Sequence, residues 1–347
     1  MLWLNTNAIS ELSYTLEVTN ETIANQVLNY SGRNNITIIL RGTESEQIIS
    51  IFDNGSIFTI ESGVTLILEK NITLEGHNSN NASLVRVNSG GTLIMNNGSK
   101  ISSNAFRSSV SSSYGGGVYV NNGNFTMNGG EITDNIVSSS VSFGNGGGVY
   151  VNNGVFVING GEIYGNIASH HGGGVYINNS STFTLSGGKI IANTTSGDGG
   201  GLYISNGIFS MNSGEISRNT TYGNGGGVYF AGNTFNMTGG KINGNIAIGS
   251  GGGVRVYGVF NMINGEISNN TASVFGGGVH ISTTLGSIIK TGGIIYGSNG
   301  GIFANTARNS TSGNAVYIDS NRRRESTSEL IDNLDSSKSG VEGGWEN

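Results

Sequence analysis

The chain has 347 residues, of which 60 are Gly and none is Pro or Cys. Charged residues make up 11% and hydrophobic residues 35%, with a formal net charge of −6. That balance excludes a disordered, highly charged chain, and the acidic sign excludes the basic footprint of a nucleic-acid binder. Without Cys there is neither a disulfide framework nor a thiolate metal site, and no stretch approaches the ~20 apolar residues of a membrane span.

In chain order, Met1 to Asn5 shows no basic segment leading into an apolar run. An extracellular or cell-surface location therefore implies an unconventional export route or a leader missing from this sequence. Thr19 to Gly32 (TNETIANQVLNYSG) reads as a short capping helix, with Asn20 as N-cap and Gly32 as stop. Residues 1–34 are accordingly expected to form an N-terminal strand and cap, 35–320 a repeat domain, and 321–347 a C-terminal cap or flexible tail. Ile57 to Ile60 and Val64 to Leu68 form one early coil, and Val85-Arg-Val with Leu93-Ile-Met another.

From there the repeat is explicit. Gly-Gly-Gly followed by Val or Leu starts at Gly115, Gly146, Gly172, Gly199, Gly225, Gly251 and Gly276, giving spacings of 31, 26, 27, 26, 26 and 25. A fixed period in this range marks a solenoid or a propeller. Within Gly115 to Asn135, three runs alternate apolar and polar residues between Gly and Asn turns: Val118-Tyr-Val, Phe125-Thr-Met and Glu131-Ile-Thr. Three strands in ~26 residues fit one coil of a three-sided parallel β-helix, where a propeller blade needs four strands in ~40–45. The fold class is therefore all-β, with about ten stacked coils. Gly313 to Ile318 is a degenerate last coil, and the repeat is lost after Glu325.

Parallel stacking turns each alignment column into a ladder with a step of about 4.8 Å. Four columns are apolar and inward: those of Val118, Phe125, Met127 and Ile132. A fifth is Asn in every coil: Asn104, Asn135, Asn166, Asn193, Asn219, Asn245, Asn270 and Asn305. Stacked Asn side chains can pass amide hydrogen bonds from coil to coil, so this column is structural.

The run from Ile-x-x-Asn to the next Gly-Gly, as in Ile163 to Ile177 (IYGNIASHHGGGVYI), resembles the paired FxxN and GGAI motifs of the chlamydial polymorphic outer-membrane protein repeats. It is more similar still to the Gly-rich β-helix repeat surface proteins of spirochaetes and gut bacteria, whose last coil and tail resemble Gly313 to Ile318 and Asn333 to Ser337. The resemblance implies a right-handed β-helix of the pectin-lyase-like superfold, secreted or displayed at the cell surface. In this chain Ile mostly replaces Phe before xxN, the spacer is Gly rather than Ala, and residues 321–347 show no barrel-like strand pattern.

Function is expected on outward columns, since the inward ones are filled by packing. Tyr119, Tyr150, Tyr176, Tyr203 and Tyr229 occupy one outward position, continued by Arg255 and His280. A flat aromatic stripe about 20 Å long is a candidate surface for stacking sugar rings or for a host or cell-surface protein, and equally a set of good β-formers that hold register. A second outward column, Lys100, Glu131, Glu162, Lys189, Glu215, Lys241 and Glu266, alternates in sign except at Glu131 beside Glu162. Those two carboxylates are the only candidates for glycosidase-type acid/base chemistry. His170-His171 forms a turn pair with no third ligand nearby in the repeat, and neither a metal site nor a cofactor site is expected. The leading expectation is a non-catalytic surface β-helix for adhesion, glycan binding or lateral association. A polysaccharide lyase or glycoside hydrolase on the same superfold is the alternative, and a plain structural spacer the third reading.

Overall fold

The computed structural model describes residues 2–30, 32–108, 113–139, 143–282, 286–308, 313–319, 325–326 and 340–341. They form a parallel β-solenoid of about ten turns with about 27 residues per turn. Its three main sheets carry the three runs seen in the repeat. A twelve-stranded sheet, here the Phe sheet, begins at Ser13–Val18 and includes Asn124–Met127. An eleven-stranded sheet, the charged sheet, begins at Glu21–Ile23 and includes Glu131–Thr133. A second twelve-stranded sheet, the Tyr sheet, begins at Gln26–Leu28 and includes Val118–Asn121.

Register follows the alignment columns: Phe125 lies beside Phe156, Ile132 beside Ile163, and Val118 beside Val149. The inward columns are wholly buried, and Phe125, Phe156, Phe183, Phe209, Phe235 and Phe260 stack with centroids 4.4–5.2 Å apart. That separation matches the inter-strand spacing, so one Phe per coil both fills the core and locks neighbouring coils in register.

Two features depart from the sequence reading. Thr19 to Gly32 is not a helix: Glu21–Ile23 and Gln26–Leu28 are strands, parallel to Gln47–Ile51 and Phe58–Ile60. Asn20 caps no helix; its Oδ1 accepts the Ile48 backbone N–H at 2.7 Å. A helix this short is marginal on its own, whereas the open edge of the next coil offers a row of unpaired backbone groups that capture the segment as strands. A six-residue helix lies earlier, at Leu2–Asn7, where Leu4 is buried in the core cluster.

The second departure is a fourth, narrow sheet of seven strands between the charged and Tyr sheets. It runs from Ala105–Ser108 through two-residue strands such as Thr194–Thr195 to Thr271–Ala272. Of the expected C-terminal cap or tail, only two short segments are described. Glu325–Ser326 pairs parallel with Ile289 and Lys290, and Gly340–Val341 pairs antiparallel with Val316 and Tyr317.

At the corner between the charged sheet and this narrow one runs the Asn ladder. All eight expected Asn side chains are fully buried. From Asn135 to Asn270, each Asn donates both its backbone N–H and its Nδ2 to the Oδ1 of the next, at 2.8–3.0 Å. The same Nδ2 groups donate to Ile carbonyls of the preceding coil, for example Asn193 to Ile163 O at 2.9 Å. Asn80 extends the ladder by one coil, donating to Asn104 Oδ1 at 2.9 Å. It escapes the Ile-x-x-Asn pattern because the three residues before it are His77, Asn78 and Ser79.

The residue before each ladder Asn turns the corner in the left-handed region, with φ between 53° and 66° from Ser103 to Asn269, even where it is Ala192 or Arg218. The Gly triplets are demanded by close approach. Their first Gly lies at φ 64° to 72°, and a methyl on the second or third would run into the backbone of the next coil.

Candidate functional site

The outward Tyr column is brought together, but it is not the open, flat surface expected. Tyr150 and Tyr176 are only 5% and 8% exposed, and Tyr119, Tyr203 and Tyr229 are half-buried. Tyr150, Tyr176, Tyr203 and Tyr229 stack on one another with centroids 4.9, 4.9 and 4.7 Å apart and ring planes within 9° of parallel. Their π faces are therefore turned toward each other along the solenoid axis. A ligand approaching from the side meets ring edges and hydroxyls, not a stacking platform.

Side chains from the two-residue strand Ser113–Tyr114 and from neighbouring turns pack against the row. Tyr114 lies 4.7 Å from Tyr150, His171 stacks on Tyr203 at 4.5 Å, and Tyr257 lies 5.3 Å from Tyr229. Guanidinium groups flank both ends, Arg86 over Tyr119 and Arg255 over Tyr257, each at 4.8 Å. Burial raises the pKa of Tyr119, Tyr150, Tyr176, Tyr203 and Tyr229, so the row stays protonated and able to donate across the neutral range. Tyr114 and Tyr257 were not legible as members of the row; Tyr114 sits immediately before Gly115, a position that varies from coil to coil.

Two histidines belong to the same face. His171 Nδ1 accepts the Asp198 backbone N–H at 2.9 Å, and burial together with His170 lowers its pKa to about 4 against the pull of Asp198. His280 is 3% exposed; burial and the neighbouring Arg255 hold its pKa at about 4, although Nε2 lies 3.1 Å from Asp319 Oδ1. Its Nδ1, like Arg255 Nε and Nη1, is buried without a hydrogen-bond partner.

Because both pKa values are depressed below the ordinary 6.5, the unfolded chain binds these protons more tightly than the folded one. Stability is therefore expected to be constant above pH 6.5 and to fall as the pH drops toward 4. The His280 share approaches on the order of 3 kcal/mol. Denaturant midpoints measured across that window should flatten in His280→Tyr, which places in the column the residue found at Tyr229 and Tyr317. A midpoint independent of pH in the parent would contradict this assignment.

On the charged sheet, Glu131 and Glu162 are register partners on adjacent coils. Each is matched by a lysine on its far side: Lys100 Nζ lies 3.9 Å from Glu131 Oε2, and Lys189 Nζ lies 2.7 Å from Glu162 Oε1. The Tyr164 hydroxyl donates to Glu131 Oε2 at 3.2 Å. Beside them lies an open groove of about 520 Å³, lined also by Glu46, Thr73, Ser99 and Lys100. The two carboxylates are 45% and 40% exposed, and each faces a lysine of an adjacent coil.

Of the turn pair His170-His171, His171 joins the Tyr row, while His170 Nδ1 lies 3.2 Å from Asn145 Oδ1. Arg322, Arg323 and Arg324 lie outside the described residues. Among the described residues, no helix is long and apolar enough to cross a membrane. No family model, curated protein or solved structure matches the chain.

Proposed function

We propose that this chain is a right-handed parallel β-helix, secreted or displayed at a cell surface, which presents a non-catalytic lateral face for adhesion, glycan contact or lateral association. Right-handedness is supported by the near-universal hand of connections between parallel strands. The observation that carries the reading is the continuous row from Tyr119 to Arg255, which lines up donor hydroxyls at one inter-coil step along one face. A row of donors at a fixed spacing suits an extended polar ligand such as a glycan chain, held by hydrogen bonds rather than by ring stacking.

The test is a glycan array probed with the parent and with the triple variant Tyr150→Phe, Tyr176→Phe, Tyr203→Phe. Phe keeps the ring stack and removes only hydroxyls, so binding is expected to fall about a hundredfold for three lost hydrogen bonds of ~1 kcal/mol each. Undiminished binding by the triple variant would remove the row from consideration. The competing reading, a polysaccharide lyase or hydrolase, rests on the groove beside Glu131 and Glu162. It requires cleavage by the parent that disappears in Glu131→Gln.

A further inference from the structure

The Phe sheet has an outer face that differs from both others. In every coil from Ser13 to Ser287 its two outward columns hold only Thr, Ser, Asn, Ile and Val, the majority β-branched. No charged or aromatic side chain interrupts these two columns; Glu17 and Arg41, in the first two coils, lie one outward position beyond them. The charged sheet alternates Lys and Glu along most of its length, and the Tyr sheet is aromatic, with further rings packed against it. Near the middle of the Phe sheet, Val155 and Ile208 are 42% and 44% exposed.

We propose that this face is a self-association surface, against which a second copy of the chain packs sheet on sheet. The inference takes up the lateral association named above and stands apart from the Tyr row, which lies on another side. Three observations favour a second copy as the occupant.

The first is charge. Uncharged columns can be brought against their own copies without the like-charge juxtaposition that the Lys and Glu face would suffer in some registers. The second is period. β-Branched side chains at an inter-coil step of about 4.8 Å interdigitate best with a surface of the same step, and a second copy has it by construction. The third is area. Ten steps of about 4.8 Å by four residues of about 3.3 Å give roughly 600 Å² per copy, or about 1,200 Å² in total. That reaches the lower end of specific protein interfaces. One such face per solenoid closes a twofold pair rather than a filament.

Sedimentation velocity of the full chain over a micromolar concentration series tests this. The parent is expected to be a dimer, and Val155→Lys with Ile208→Lys to raise its dissociation constant at least about tenfold. Ile246→Lys, at a 42% exposed site on the narrow sheet, should leave it unchanged. A monomeric parent, or a dimer indifferent to the paired Lys substitutions, overturns the proposal; neither result bears on glycan binding by the Tyr row. If the Lys variant loses the parent's circular dichroism, Val157→Cys decides, because the chain has no other Cys. Val157 lies in the middle coil and meets its own copy in a fully overlapped twofold pair. A disulfide-linked dimer then supports the proposal, and its absence overturns it.

Discussion

Replacing Asn219, a middle rung of the ladder, by Ala is expected to lower stability by about 3–5 kcal/mol. Asn219 Oδ1 accepts the Asn193 backbone N–H at 2.9 Å and Asn193 Nδ2 at 3.0 Å. Its Nδ2 donates to Ile190 O at 2.9 Å and Asn245 Oδ1 at 3.0 Å. Ala strips an acceptor from Asn193 and a donor from Ile190 where water cannot replace them, and each buried group left unsatisfied costs ~1–3 kcal/mol. The shortfall lies at an inter-coil interface, so cooperativity between the two halves of the solenoid should weaken as well. Asn212→Ala makes the comparison, since its Nδ2 donates to Ser186 Oγ at an exposed site and its loss should cost under ~1 kcal/mol. Denaturant unfolding followed by hydrogen exchange at the Asn193 amide distinguishes the two. Equal midpoints for the two variants would mean that the ladder is ornamental.

Gly200→Ala is expected to be at least as severe, and Gly244→Ala mild. A methyl at Gly200 would press on the carbonyl oxygen of Gly226 and lie 2.9 Å from backbone atoms of Thr220. Those neighbours are backbone on two sides, so relief requires the coils to separate and the local ladder to open. A loss of more than ~3 kcal/mol is expected. Gly244, unlike Gly200, has a positive φ, of 66°, but the nearest atom to an added methyl is 3.9 Å away. Ala192 occupies the equivalent corner at φ 54°, so the repeat already tolerates a side chain there. The cost should be limited to the left-handed backbone, ~1–2 kcal/mol. Thermal unfolding of the two variants side by side is sufficient, and similar losses would contradict the claim that close backbone contact selects Gly200.

For the candidate site, periodicity exposed membership but not environment. Tyr119 to Tyr229 and Arg255 stood out because they repeat at one position of each coil. What packs against them did not repeat: Tyr114 comes from the two-residue strand Ser113–Tyr114, and His171 and Tyr257 come from turns whose composition changes from coil to coil. The Glu131 and Glu162 pair was readable as neighbours for the same reason, while their separate lysine partners depended on which way long side chains reach. The narrow fourth sheet was invisible because strands of two residues, such as Thr220–Thr221, are too short to show alternation.

The amino-acid sequence by itself determined the parallel stacking, the register and the buried columns. Each coil repeats the same alternation of inward Val, Phe, Met and Ile, and a one-residue slip would turn every core side chain outward. It also determined the Asn ladder, because a fully polar column at constant spacing is stable only when stacked on itself. Tertiary structure alone decided the fate of Thr19 to Gly32, whose local pattern suits a helix but whose backbone is claimed by the edge of the next coil. It decided likewise that the tyrosines turn their faces to one another. Stacking at 4.7–4.9 Å along the axis is a property of neighbouring coils, so no single coil encodes it.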